Sequence, residues 1–154
     1  MQQISGRHTL LLVSLLTIGL GCGQEETPVP VVELSRTASA EGASVYIISP
    51  ADSAQVNGDA VTVKFGLKGM GVAPAGVDFP DTGHHHLLVD VVGLPPMDLP
   101  IPADANHVHF GKGQTEATLQ LEPGTHTLQL LLGDRLHIPH DPPVMSETIT
   151  ITVE

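Results

Sequence analysis

VTVKFGL, residues 61–67, decides the fold class. Val61, Val63, Phe65 and Leu67 stand at every second place, with Thr62, Lys64 and Gly66 between them. A period of two sends successive side chains to opposite faces, so this segment predicts a strand with one buried face and one wet face. Its neighbours carry the same signature. Upstream, Ser44-Val45-Tyr46-Ile47-Ile48 is strand-like and stops at Ser49-Pro50, because proline cannot donate to a ladder. Downstream, Leu87–Val92 reads as a strand, with His84-His85-His86 at its start. Ala117, Leu119 and Leu121 alternate with Thr118 and Gln120. His126, Leu128, Leu130 and Leu132 alternate with Thr127, Gln129 and Leu131, and Thr148–Val153 closes the chain. No segment carries a 3.6-residue apolar stripe. The pattern predicts an all-β domain over residues 43–154, an antiparallel β-sandwich of six to eight short strands.

Two connections are long and rich in proline and glycine, residues 69–83 and 93–106. Loops of this length are functional or disordered, and proline stiffens these, so they are expected to be ordered and packed over one end of the sandwich.

The beginning of the chain has a different composition. Thr9–Leu20 is an apolar run of about a dozen residues, too short for a membrane span of about 20 and suited to a signal-peptide core. It ends at Gly-Leu-Gly-Cys22, which resembles a bacterial lipobox, although Gly19 stands where Leu is usual. Residues 1–22 are therefore expected to be a signal peptide, with Cys22 lipidated. Residues 23–42, rich in Pro, Glu, Ser, Thr and Ala, are expected to be a flexible tether spanning roughly 25 Å. The implied location is the periplasmic side of a bacterial envelope, held to the membrane by a lipid. Cys22 is the single cysteine, so no internal disulfide can brace the fold. The net charge of −11 excludes a basic nucleic-acid-binding surface.

Nine histidines exceed the six Lys and Arg combined, and eight of the nine lie between His84 and His140. Residues two apart on a strand share a face. Leu87 and Val89 are expected to look inward with His85, leaving His84 and His86 on the other face with Leu88 and Asp90. His107 and His109 likewise share a face. Imidazole suits Zn²⁺ and Cu²⁺, and paired His-x-His strands are one way to assemble such sites. His84, His86, His107, His109, His137 and His140 are the candidate ligands for Cu or Zn. His85, Asp90, His126 and Asp141 are candidates for supporting or structural roles, Asp141 by orienting a ligating ring. Met70 and Met145 could serve Cu(I) but fit packing better.

The stretches GMGVAPAG, TGHHHLLVD, HVHFGKGQTEATLQL, PGTHTLQLLLGD and HIPHDPPVMSETITITV, between Gly69 and Val153, resemble the bacterial domain of unknown function (DUF) 4399 family. That resemblance implies a small exported domain, often with a lipoprotein signal, and carries no activity. Three likenesses are local. Residues 121–130, LEPGTHTLQL, resemble the turn of bacterial immunoglobulin-like domains in which a Tyr bonds back to the backbone; His126 takes the Tyr place, and the resemblance implies that the antiparallel β-sandwich is immunoglobulin-like. HVHFG resembles the copper-binding strand of copper-zinc superoxide dismutase. The order of a strand, a Gly-Asp loop with His and a final strand is similar to the copper-binding periplasmic CopC proteins.

Three functions are compatible with these residues. The first is a metal-binding module without catalysis. The second is a module that binds an envelope protein or a glycan through its loops, with the histidines as a structural hydrogen-bond cluster. The third, less favoured, is a metalloenzyme in which Asp90 or Glu116 would act as base; no nucleophile elbow or phosphate loop is present.

Overall fold

The computed structural model describes residues 35–154, and the expected signal peptide, Cys22 and most of the expected tether lie outside them. Every regular element among the described residues is a strand: β1 Ser44–Ser49, β2 Ala54–Val56, β3 Ala60–Lys68, β4 Gly71–Val72, β5 Thr82–Val89, β6 His107–His109, β7 Glu116–Gln120, β8 Gly124–Gly133 and β9 Ile149–Val153. They form a three-stranded sheet, β1-β3-β7, and a six-stranded sheet, β2-β9-β8-β5-β4, with β6 paired to β5. The long pairings are antiparallel, as expected, but two short edge pairings, β2 with β9 and β4 with β5, are parallel. Sequence periodicity cannot reveal segments of two or three residues, which is why the strand count exceeds the expectation.

β3 behaves as its alternation predicts: Val61, Val63 and Phe65 are buried while Thr62 and Lys64 are exposed. These side chains meet Leu87 and Val89 of β5, Leu128, Leu130 and Leu132 of β8, and Ile151 and Val153 of β9 in one apolar core drawn from both sheets. β5 is different, because it is buried on both faces from Gly83 to Val89. A strand covered on both sides loses its alternation. The second cover is supplied by loops: Leu88 and Leu131 pack against Ile101 of the loop between β5 and β6. The loop of residues 93–106 thus lies against the outer face of the larger sheet, and that of residues 69–83 supplies β4 at its edge. Ala75 N–H donates to Gly111 O at 3.0 Å, Gly76 N–H to Arg135 O at 3.0 Å and Ile101 N–H to His137 O at 2.9 Å.

Two boundaries differ from the sequence expectation. β5 ends at Val89 rather than Val92, because Asp90 turns into the left-handed region (φ 56°) and its carboxylate accepts from Thr127 N–H at 2.8 Å. The tether does not run free to Gly42: from Arg36 onward the chain is bonded to the loop between β8 and β9.

Candidate metal centre

The ladder between β5 and β6 sets His86 opposite His109, and that between β5 and β8 sets His84 opposite Gly133. Opposed residues share a face, so His84, His86 and His109 project together from the outer face of the larger sheet. His137 reaches them from the loop that follows β8, where its backbone takes φ 68°. A non-glycine residue in that region is uncommon, and here the turn aims the ring at the other three. Asp134 builds the turn. Its Oδ1 accepts from Leu136 N–H at 2.8 Å and Ile138 N–H at 3.0 Å, while His137 N–H donates to Asp134 O at 2.9 Å.

The four rings make one cluster. His84 lies 4.8 Å from His86, 5.0 Å from His109 and 4.9 Å from His137, centroid to centroid. His109 lies 5.0 Å from His86 and 4.7 Å from His137. Ring nitrogens of His84, His109 and His137 come within 4.8 Å of one another, a grouping that could hold one metal ion. His84 and His86 are about 1% exposed, and His109 and His137 lie nearer the surface. His84 Nε2, both nitrogens of His86 and His109 Nε2 are buried without a hydrogen-bond partner. Buried polar atoms are rarely left so, because each costs about 1–3 kcal/mol. A cation held among the rings would take one nitrogen from each ring it binds, His84 and His109 among them.

The electrostatics favour the protonation state that a metal requires. Burial, then the neighbouring His137 and His109, lowers the pKa of His84 to about 4, with Asp134 pulling the other way. Burial, then His84, His109 and His137, lowers His86 to about 2. His109 is lowered too, by burial and then by His137. These rings are neutral at pH 7 and present free lone pairs.

The other candidates go elsewhere. His85 turns inward as expected, 5.2 Å from the Phe65 ring, with Nδ1 3.2 Å from Gln114 O. His107 shares the outer face but stands opposite Leu88, one place further along the ladder, and donates to Asp104 at 2.9 Å instead. His140 is fully buried outside the cluster and donates to Thr82 O at 3.2 Å. His126 does what its place in the turn implied: Nε2 donates back to Glu122 O at 2.8 Å and Nδ1 donates to Asp90 at 2.7 Å. Asp90 raises its pKa, followed by Glu122 O. Asp141 does not orient a ligating ring; it pairs with Arg36 at 3.0 Å. Met145 is exposed, and Met70 packs against the core.

Two features escaped the sequence reading. Asp134 was visible only as part of a Gly-Asp loop. Gly133 supports His86 closely: a Cβ there would stand 2.8 Å from its Cε1 and 3.1 Å from its Nδ1. Gly133→Ala is therefore expected to push the His86 ring aside, costing about 1–3 kcal/mol of stability and weakening metal binding. Chemical denaturation and metal titration of this variant check it, and wild-type behaviour in both would contradict the packing described. A cleft of about 370 Å³ lies elsewhere on the domain, beside Ser39–Ala43 and Pro142–Val144, and no histidine lines it.

Fold and site together define a class: an all-β domain that gathers four imidazoles beneath the loops covering its larger sheet. The family model described as Domain of unknown function (DUF4399) matches residues 63–154, and the chain belongs to that family. The match begins inside β3, contains all eight clustered-region histidines, and excludes β1, β2 and the segment from Arg36. A comparison with curated proteins finds no match. Among solved structures, fibronectin(III)-like modules of Clostridium thermocellum CbhA align over 71% of this chain and 92% of theirs, at 14% identity and a TM-score of 0.31.

Proposed function

We propose that this domain is a metal-binding module without catalysis, built on an immunoglobulin-like sandwich and held by a lipid on the periplasmic side of a bacterial envelope. It takes one Cu²⁺ or Zn²⁺ through His84, His109 and His137, with His86 as the fourth imidazole. The observation that carries this reading is the grouping of ring nitrogens of His84, His109 and His137 within 4.8 Å of one another, beside buried nitrogens of His84, His86 and His109 that lack a hydrogen-bond partner. Imidazole suits either ion, and the buried side chain of Asp134 nearby offsets part of the ion's charge. Delivery, buffering or sensing of the metal is the role that fits such a site.

The alternative is an interaction module for an envelope protein or a glycan, with structural histidines. His107, His126 and His140 fit it, because each is hydrogen-bonded. Three of the four clustered rings, His84, His86 and His109, fit it poorly, since each carries a buried nitrogen without such a bond. Catalysis is the less favoured reading: Asp90 is engaged by His126 and Thr127, and Glu116 belongs to β7 in the other sheet.

Calorimetric titration of Cu²⁺, then Zn²⁺, into the chelator-stripped full chain tests the proposal. One equivalent should bind with sub-micromolar Kd. His84→Ala and His109→Ala should each weaken binding at least about 100-fold, while His107→Ala and His140→Ala leave the ligand set intact. Weak, many-site binding that no single variant changes would overturn it.

A further inference from the structure

The segment Arg36–Ser39 enters the domain across the loop that carries His137. Arg36 grips that loop at three points: Nε donates to Pro139 O at 3.1 Å, Nη1 donates to Asp141 Oδ1 at 3.0 Å, and Nη2 donates to His140 O. Thr37 Oγ1 donates to Asp134 Oδ2 at 2.7 Å. The backbone adds two bonds, Asp141 N–H to Thr37 O at 2.9 Å and Ser39 N–H to Asp141 O at 3.1 Å. The strap therefore touches Asp134 on one side of His137 and residues 139–141 on the other.

The bond to Asp134 matters most. Asp134 is 3% exposed, and its other oxygen already holds Leu136 and Ile138 N–H, which shape the turn around His137. Without Thr37, Oδ2 would be a buried carboxylate oxygen lacking that partner, and such an oxygen draws water or a new donor by moving. Any movement of Asp134 is transmitted to His137, because the two share one tight turn and His137 is held at an uncommon backbone angle.

We propose that Arg36 and Thr37 are positioning residues for the metal site: the strap holds His137 in ligating geometry, so metal affinity is set partly by the point where the chain enters the domain. This rests on the metal-binding reading above. Tension or proteolysis at the strap would loosen one ligand and leave the three on β5 and β6 in place. The strap thus provides a means of metal release.

The test uses the full chain with Cu²⁺ as probe, in wild type, Thr37→Val, Thr37→Ser, Arg36→Met, His137→Ala and the Thr37→Val/His137→Ala double variant. Thr37→Val and Arg36→Met should each weaken Cu²⁺ binding about tenfold, the usual size of a supporting-residue effect. Thr37→Ser keeps the hydroxyl and should restore wild-type affinity. In the His137→Ala background, Thr37→Val should add no further loss. The paramagnetic resonance spectrum of Cu²⁺-loaded Thr37→Val should move toward that of His137→Ala, which a general loss of stability would not cause. If wild type binds Cu²⁺ tightly while Thr37→Val and Arg36→Met bind equally well, the strap proposal fails and the metal site stands. The proposal also fails if the double variant loses affinity additively. Wild type that binds no Cu²⁺ overturns the metal reading, and the strap proposal with it.

Discussion

Saturating Cu²⁺ or Zn²⁺ is expected to raise the melting temperature of the metal-free protein by about 15 °C. A ligand that binds only the folded state at about a thousand times its Kd stabilises by about 4 kcal/mol, and for a domain of this size each kcal/mol moves the midpoint by roughly 4 °C. The rise should disappear in His84→Ala and His109→Ala. A sharper result is expected from His86→Leu. The metal-free wild type carries two buried, unpartnered nitrogens on His86. Replacing the ring with an apolar side chain of similar bulk removes that penalty, so the metal-free variant should be more stable by about 1–2 kcal/mol while its response to metal falls. Such a trade of stability for function is what a ligand site predicts. Differential scanning calorimetry with and without metal provides both readings. If metal leaves the midpoint unmoved and His86→Leu lowers it, the cluster braces the fold and does not bind metal.

Acid should unfold the metal-free protein well above the pH at which ordinary carboxylates titrate. In the folded chain His84 is lowered to about 4 and His86 to about 2, against an ordinary value of 6.5. The unfolded chain therefore takes up protons first as pH falls. Stability is fully present above about pH 6.5 and declines below it, through about pH 4 for His84 and about pH 2 for His86. At pH 4 each ring has withheld protonation over roughly 2.5 pH units, or about 3 kcal/mol, and the pair together about 6 kcal/mol. That is comparable with the whole stability of a small domain, about 5–15 kcal/mol. His85, lowered by burial, acts in the same direction. His126 acts in the opposite one: Asp90 raises its pKa, so its contribution is full below about 6.5 and fades as pH rises through the raised value. A single partly exposed pair is worth about 1 kcal/mol or less and cannot offset the cluster. The urea midpoint of the metal-free chain should fall steadily from pH 7 to pH 4, and His86→Leu should flatten the slope by about half. A midpoint constant over that range would mean that the rings are not held neutral and buried. Bound metal should hold the midpoint up at pH 5, because protons must then compete with the ion for the same nitrogens.

Strand parity is a local property, and what depends on it could be read directly. The alternation in VTVKFGL made β3 a half-buried strand, and Leu87 and Val89 assigned His85 inward and His84 with His86 outward. The spacing of His107 and His109 put both on one face for the same reason. The turn at residues 121–126 predicted a side chain that bonds back to the chain, and His126 does so because the turn brings Glu122 O within reach of the ring. Covalent geometry carries the strand inferences, and the resemblance of the turn to immunoglobulin-like domains carries the one about His126.

Register, loop packing and chain entry depend on contacts between residues far apart in sequence, and these only the tertiary structure supplies. A shift of two residues in the pairing of β5 with β6 would exchange His107 for His109 in the cluster, and nothing in HVH distinguishes them. His137 and His140 are three residues apart in one loop, yet one ring joins His84, His86 and His109 while the other bonds Thr82 O. Loops that cover the outer face of β5 convert what would be solvated histidines into buried ones, and that desolvation lowers their pKa values. Arg36 and Thr37 looked like tether because tether and strap share a polar composition; their partners lie about a hundred residues away, beyond the reach of any local pattern.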